Sequence, residues 1–147
     1  MRKKLLWTVL VGLLVFVAIY KVQNANAYES SRVIRNTDSD YTSEGYDGYL
    51  NQNEALLFFE AFDGLDTIAT LEGGKEVTVL VSKNLTEGQA KVVLVNAFGQ
   101  VKEINETQTI YLESGCNYIK IVSRDATGTI GLVIEASQDV QFHSVLE

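Results

Sequence analysis

Glu76-Val-Thr-Val-Leu-Val-Ser82 and Thr129-Ile-Gly-Leu-Val-Ile-Glu-Ala136 decide the fold class. In the first, Val77, Val79 and Val81 fall on one side of an extended chain and Thr78, Leu80 and Ser82 on the other. In the second, Ile130, Leu132 and Ile134 alternate with Thr129, Gly131, Val133 and Glu135. A period of two is the mark of a strand with one face buried. Lys91-Val-Val-Leu-Val-Asn96 is apolar on both sides, which suits a central strand covered on each face.

Working outward, short apolar or alternating runs fill the chain from Ala55 to Ala136. They are 55–62, 67–71, 76–82, 91–96, 100–104, 107–112, 117–123 and 129–136. Runs this short leave no room for helices of ordinary length. The helix-prone Glu54-Ala-Leu-Leu-Phe-Phe-Glu-Ala-Phe62 is also read as a strand, because of its aromatics and the Asp63-Gly64 that follows. Between the runs stand Asp63-Gly64, Gly73-Gly74, Glu87-Gly88, Phe98-Gly99, Ser114-Gly115 and Thr127-Gly128, where the reading places turns that require positive φ. The expected fold is therefore all-β: a single antiparallel β-sandwich over 54–147, of immunoglobulin-like or jelly-roll type, with two sheets hiding one face each. Tyr118, Lys120 and Val122 alternate with Ile119 and Ile121. Lys120 is thereby expected on the solvent side, with Lys120→Ala costing no more than about 0.5 kcal/mol.

The first 27 residues differ in texture. Arg2, Lys3 and Lys4 precede an uncharged stretch from Leu5 to Tyr20, and Ala25-Asn26-Ala27 follows Lys21. This is the pattern of a signal peptide with an A-x-A site. A bilayer span usually takes about 20 residues, so the short stretch favours cleavage after Ala27, and an uncleaved N-terminal membrane anchor is the alternative. Both place the body outside the cell or on the outer face of the cytoplasmic membrane. Residues 28–53 are rich in Tyr, Asp, Ser and Asn and are read as a polar tether.

The residues after Ala27 hold 8 basic and 19 acidic side chains, a formal charge of -11. Such a body repels nucleic acid and anionic membrane, so a membrane enters only through the leader. Cys116 is the single cysteine, which excludes an intramolecular disulfide. The texture of Gly88-Gln-Ala-Lys-Val-Val-Leu-Val95, Phe98-Gly-Gln-Val101, Leu112-Glu-Ser-Gly-Cys-Asn-Tyr-Ile-Lys-Ile-Val122 and Gly128-Thr-Ile-Gly-Leu-Val-Ile-Glu135 resembles small exported β-sandwich proteins of Gram-positive bacteria, largely uncharacterised. The resemblance implies the fold and carries no site residues.

Chemistry is sparse in this sequence. Cys116, His143 and Arg124 are the residues that a cysteine hydrolase or transpeptidase would use, but no threonine-rich approach precedes the cysteine, and the expectation is a nonenzymatic protein without a cofactor. Asn36, Asp38, Asp40, Thr42, Glu44 and Asp47 stand at positions one, three, five, seven, nine and twelve of a loop, the oxygen spacing of a calcium-binding EF-hand. Tyr41 stands where that loop needs glycine. Tyr41, Tyr46 and Tyr49 offer rings for recognition from the tether. The function expected is a protein-binding or structural module of the cell envelope, its partner another envelope or extracellular protein. A carbohydrate-binding module is the alternative.

Overall fold

The computed structural model describes residue 15 and residues 28–136 and 140–143. Among them the chain runs α1 (Ser31–Asn36), β1 (Ser39–Thr42), β2 (Gly45–Leu50), β3 (Glu54–Glu72), β4 (Lys75–Val95), β5 (Val101–Ile104), β6 (Thr107–Leu112), β7 (Cys116–Glu135) and β8 (Gln141–Phe142). The leader expectation lies outside the described residues apart from Val15. No described helix is long and apolar enough to cross a membrane.

The all-β expectation holds, with antiparallel pairing among the described strands and all eight of these in one hydrogen-bonded sheet. Three long strands organise it. β7 lies between β3 and β4 over nearly its whole length, from Tyr118 to Val133, and the short strands pair with the outer edges of those two. Toward one end the order is β2-β3-β7-β4-β6, since β2 lies on residues 55–60 of β3 and β6 on residues 75–80 of β4. Toward the other end β1 and β8 lie on the far part of β3, and β5 on residues 92–95 of β4.

Between these halves the three long strands all break register at the same level. Irregularities fall between Phe59 and Gly64 in β3 and between Leu85 and Gln89 in β4. Ala61, Gly88, Asp125 and Gly128 there take positive φ. Phe62 pairs with Ala126, and Glu87 with Thr127, so the irregularities form a line across the sheet. β-bulges bend a strand and sharpen its twist. Glycine is required at Gly88 and Gly128 for a second reason: an added Cβ would overlap the carbonyl oxygens of Asp125 and Asn84 respectively.

This line corrects the sequence reading of the turns. Gly73-Gly74, Phe98-Gly99 and Ser114-Gly115 do separate strands, whereas Gly64, Gly88 and Gly128 lie inside β3, β4 and β7. Six of the expected short runs are consequently halves of three long strands. One hydrophobic cluster draws on both sides of the line: Leu57, Val79, Ile110 and Leu132 from one half meet Ile68, Val92, Ile104 and Ile121 from the other.

The polar tether is also corrected. Residues 28–50 form α1, β1 and β2 and are packed onto the sheet. Ser30 caps α1 by accepting from the Val33 amide, and Ile34 is buried in a second cluster with Leu65, Val93, Val95 and Val122. The expectation of strand 91–96 covered on both faces is met in this way: Val92 and Leu94 enter the main cluster, Val93 and Val95 the one beneath α1. Composition failed here because few apolar groups suffice when a finished sheet supplies the other side of the contact. Lys120 is corrected with it. It is 1% exposed, and its ammonium donates to the Thr37 carbonyl at 2.6 Å, just past the end of α1. The Thr67 hydroxyl donates to the next carbonyl, of Asp38, at 2.6 Å.

Candidate functional site

The three tyrosines expected to act together are separated. Tyr41 stacks on Phe62 with ring centroids 4.8 Å apart, and Tyr46 meets Tyr41 edge-on at 5.2 Å and Phe62 at 4.9 Å. The Tyr46 hydroxyl donates to Asp66 Oδ2 at 2.9 Å. Burial first, then the Asp66 charge, raises both phenols above the ordinary tyrosine value. These two rings fill the bend where β3 changes direction, and are packing groups. Tyr49 alone remains outside, 61% exposed.

The calcium spacing does not become a loop. Asn36 ends α1, Asp40 and Thr42 lie on β1, Glu44 in the turn and Asp47 on β2, while Asp38, Asp40, Glu44 and Asp47 are exposed. An extended strand sends alternate side chains to opposite sides, so oxygens at every second position cannot wrap a common centre there. Among the described residues no three His, Cys, Asp or Glu side chains are placed to hold a metal ion. Of the candidate nucleophile and base, Cys116 is exposed, and His143 Nε2 lies 2.7 Å from the Thr70 hydroxyl on β3. An open cavity of about 500 Å³ beside Cys116 is also lined by Arg35, Asp38, Tyr118 and Lys120. Burial lowers the Lys120 ammonium from its ordinary value, against an opposing pull from Asp38. With its proton directed to the Thr37 carbonyl, Lys120 holds the end of α1 to the sheet.

The feature that stands out is the outward side of the half-sheet β2-β3-β7-β4-β6. Strand pairing places Tyr49 opposite Leu56, Leu56 opposite Gly131, and Gly131 opposite Ser82. The adjacent row runs Glu54, Val133, Leu80, Thr107, and the next one Asp47, Phe58, Thr129, Asn84. Leu56 is 40% and Phe58 46% exposed. Gly131 lacks the side chain that would fill the space before Ser82 Oγ, and an open furrow of about 500 Å³ lies there between Tyr49, Leu56, Leu80 and Val133.

Tyr49, Leu56 and Phe58 thus lie as neighbours on one sheet face, each at least 40% exposed. The sequence reading missed Leu56, Phe58, Leu80 and Val133. A signal was present in Ala55-Leu-Leu-Phe-Phe59, which is apolar at both parities, as 92–95 is. α1 covers one of those stretches, while Leu56 and Phe58 on the other meet solvent.

No protein-family model matches the chain, and no curated protein does. Among solved structures it is similar to two tyrosine-to-phenylalanine variants of Streptomyces PAC13 with uridine, each 12% identical over 76% of this chain and 94% of theirs, with TM-scores of 0.28 and 0.27.

Proposed function

We propose that the chain is a nonenzymatic module of the cell envelope that binds another protein through the outward face around Tyr49, Leu56 and Phe58. In this reading the halves of the bent sheet close on the shared cluster as a β-sandwich of the jelly-roll kind, the leader exports or tethers the body, and the chain is one of the small exported sandwich proteins of Gram-positive bacteria. The observation that carries the reading is an asymmetry. One outward face is closed by α1 through Ile34, whereas the other leaves Leu56 and Phe58 nearly half exposed. Packing against water is the worse state for that face by roughly 25 cal/mol per Å² of apolar surface, which gives a partner its driving force.

The test is capture from the native cell surface with the original chain and with the triple variant Tyr49→Ser/Leu56→Ser/Phe58→Ser. Exposed positions tolerate such changes, so the melting temperature should stay within a few degrees while capture is lost. Undiminished capture by the variant would remove this face from consideration. Carbohydrate binding has one observation in its favour, the exposed Tyr49 ring in a furrow that also presents the Ser82 and Thr107 hydroxyls. Glycan-array binding that disappears with Tyr49→Ser would replace the protein partner by a sugar.

A further inference from the structure

We infer that the element seated on the outward face is a cationic amphipathic helix of the partner protein, an inference that rests on the binding face proposed above. Charge is the first ground. The positions that point outward from this half-sheet include Asp47 on β2, Glu54 and Glu60 on β3, Glu76 on β4 and Glu135 on β7, all exposed, and no Lys or Arg. An apolar centre bordered by these carboxylates favours an apolar stripe flanked by lysine or arginine. A second copy of this chain would oppose carboxylate to carboxylate across the interface, and an anionic lipid surface would be repelled in the same way. The formal -11 of the residues after Ala27 adds long-range attraction for a cation.

The second ground is the form of the cover that the chain uses elsewhere. On the other outward face, α1 presents Val33 and Ile34 to the sheet and carries Arg32 and Arg35, both exposed, on the same six residues. A helix bearing aliphatic and arginine side chains is thus how this sheet is already closed once. The bare face is five strands wide, about 19 Å at a spacing of ~4.8 Å, and a helix of about 13 residues spans it.

The experiment is a titration of the full chain with three synthetic helices that share a leucine stripe and differ in its flanks: lysine, serine or glutamate. The lysine helix should bind at least about tenfold more tightly than the serine helix, and the glutamate helix should not bind. Glu54→Gln/Glu60→Gln/Glu135→Gln should reduce the lysine helix to the level of the serine helix, whereas Glu29→Gln/Asp40→Asn/Glu103→Gln should leave its affinity within about twofold. Equal binding of the lysine and glutamate helices, or equal loss in both triple variants, would overturn the inference. So would dimerisation of the full chain that Leu56→Ser/Phe58→Ser abolishes, since the occupant would then be a second copy. Failure of the underlying face is a separate result: the lysine helix would bind the Leu56→Ser/Phe58→Ser chain as well as the original.

Discussion

Lys120 shows how a single position can invert a strand reading. Alternation assigned it correctly to the side opposite Ile119 and Ile121, but that side is occupied by the chain segment around Thr37. Removing the side chain leaves the Thr37 carbonyl without its donor and a gap beside Tyr118, so Lys120→Ala should cost about 1 to 3 kcal/mol in urea unfolding. Lys120→Met should cost less, because a methionine refills the stem and removes a desolvated charge. A loss below about 0.5 kcal/mol for the alanine variant would return Lys120 to the surface. Tyr46, shifted by burial first and then by the Asp66 charge, gives a pH signature. Its folded-state pKa is raised above the ordinary 10.0, so the unfolded chain releases that proton first as pH climbs. The stabilisation is complete below pH 10 and declines above it. Melting temperatures followed from pH 8 to 11 should fall above about pH 10, and Tyr46→Phe should flatten part of that fall.

At the scale of elements, the segment from Tyr28 to Leu50 carries the largest difference between sequence and structure. The Tyr28 ring lies against the Lys91 ammonium, 4.3 Å from its centroid, and the Arg124 guanidinium at 5.1 Å, while Arg124 pairs with Glu29 at 3.5 Å. With Ile34 buried and β1 and β2 paired to β3, limited proteolysis of the native chain should spare 28–50. Ile34→Ala should destabilise by about 2 to 4 kcal/mol and open cleavage sites near α1. Early cutting in the unaltered chain would restore the tether. Strand type was legible because alternation at 76–82 and 129–136 depends only on local order. The fate of 28–50 was not: β2 pairs only 5 to 15 positions ahead, but the contacts of 28–42 reach some 20 to 95 positions along the chain, and a polar composition does not reveal a single buried isoleucine. The proposed binding face was hidden for a related reason: Leu56 and Phe58 look identical to core residues until it is known which outward side α1 covers.

For the whole molecule, the line of irregularities through Phe62, Glu87 and Ala126 joins two half-sheets that share one core. The bend belongs to three strands at once, so a defect in one is transmitted through the ladder to the others. Gly88→Ala tests this. Its φ of 68° costs any other residue about 1 kcal/mol, and the new methyl would also run into the Asp125 and Arg124 carbonyls on β7. β4 and β7 would have to separate where they turn together, giving a loss of about 2 to 4 kcal/mol in urea unfolding. Gly74→Ala is the matched control. Its φ is 85°, equally unfavourable, yet the nearest heavy atom to an added Cβ is Ser114 Oγ at 3.9 Å, so only the backbone cost of about 1 kcal/mol remains. Both variants should unfold in one transition, because Leu57, Val92 and Ile121 belong to a cluster that cannot open from one side alone. Two resolved transitions in the Gly88 variant would show instead that the halves are independently stable and that the bend merely connects them.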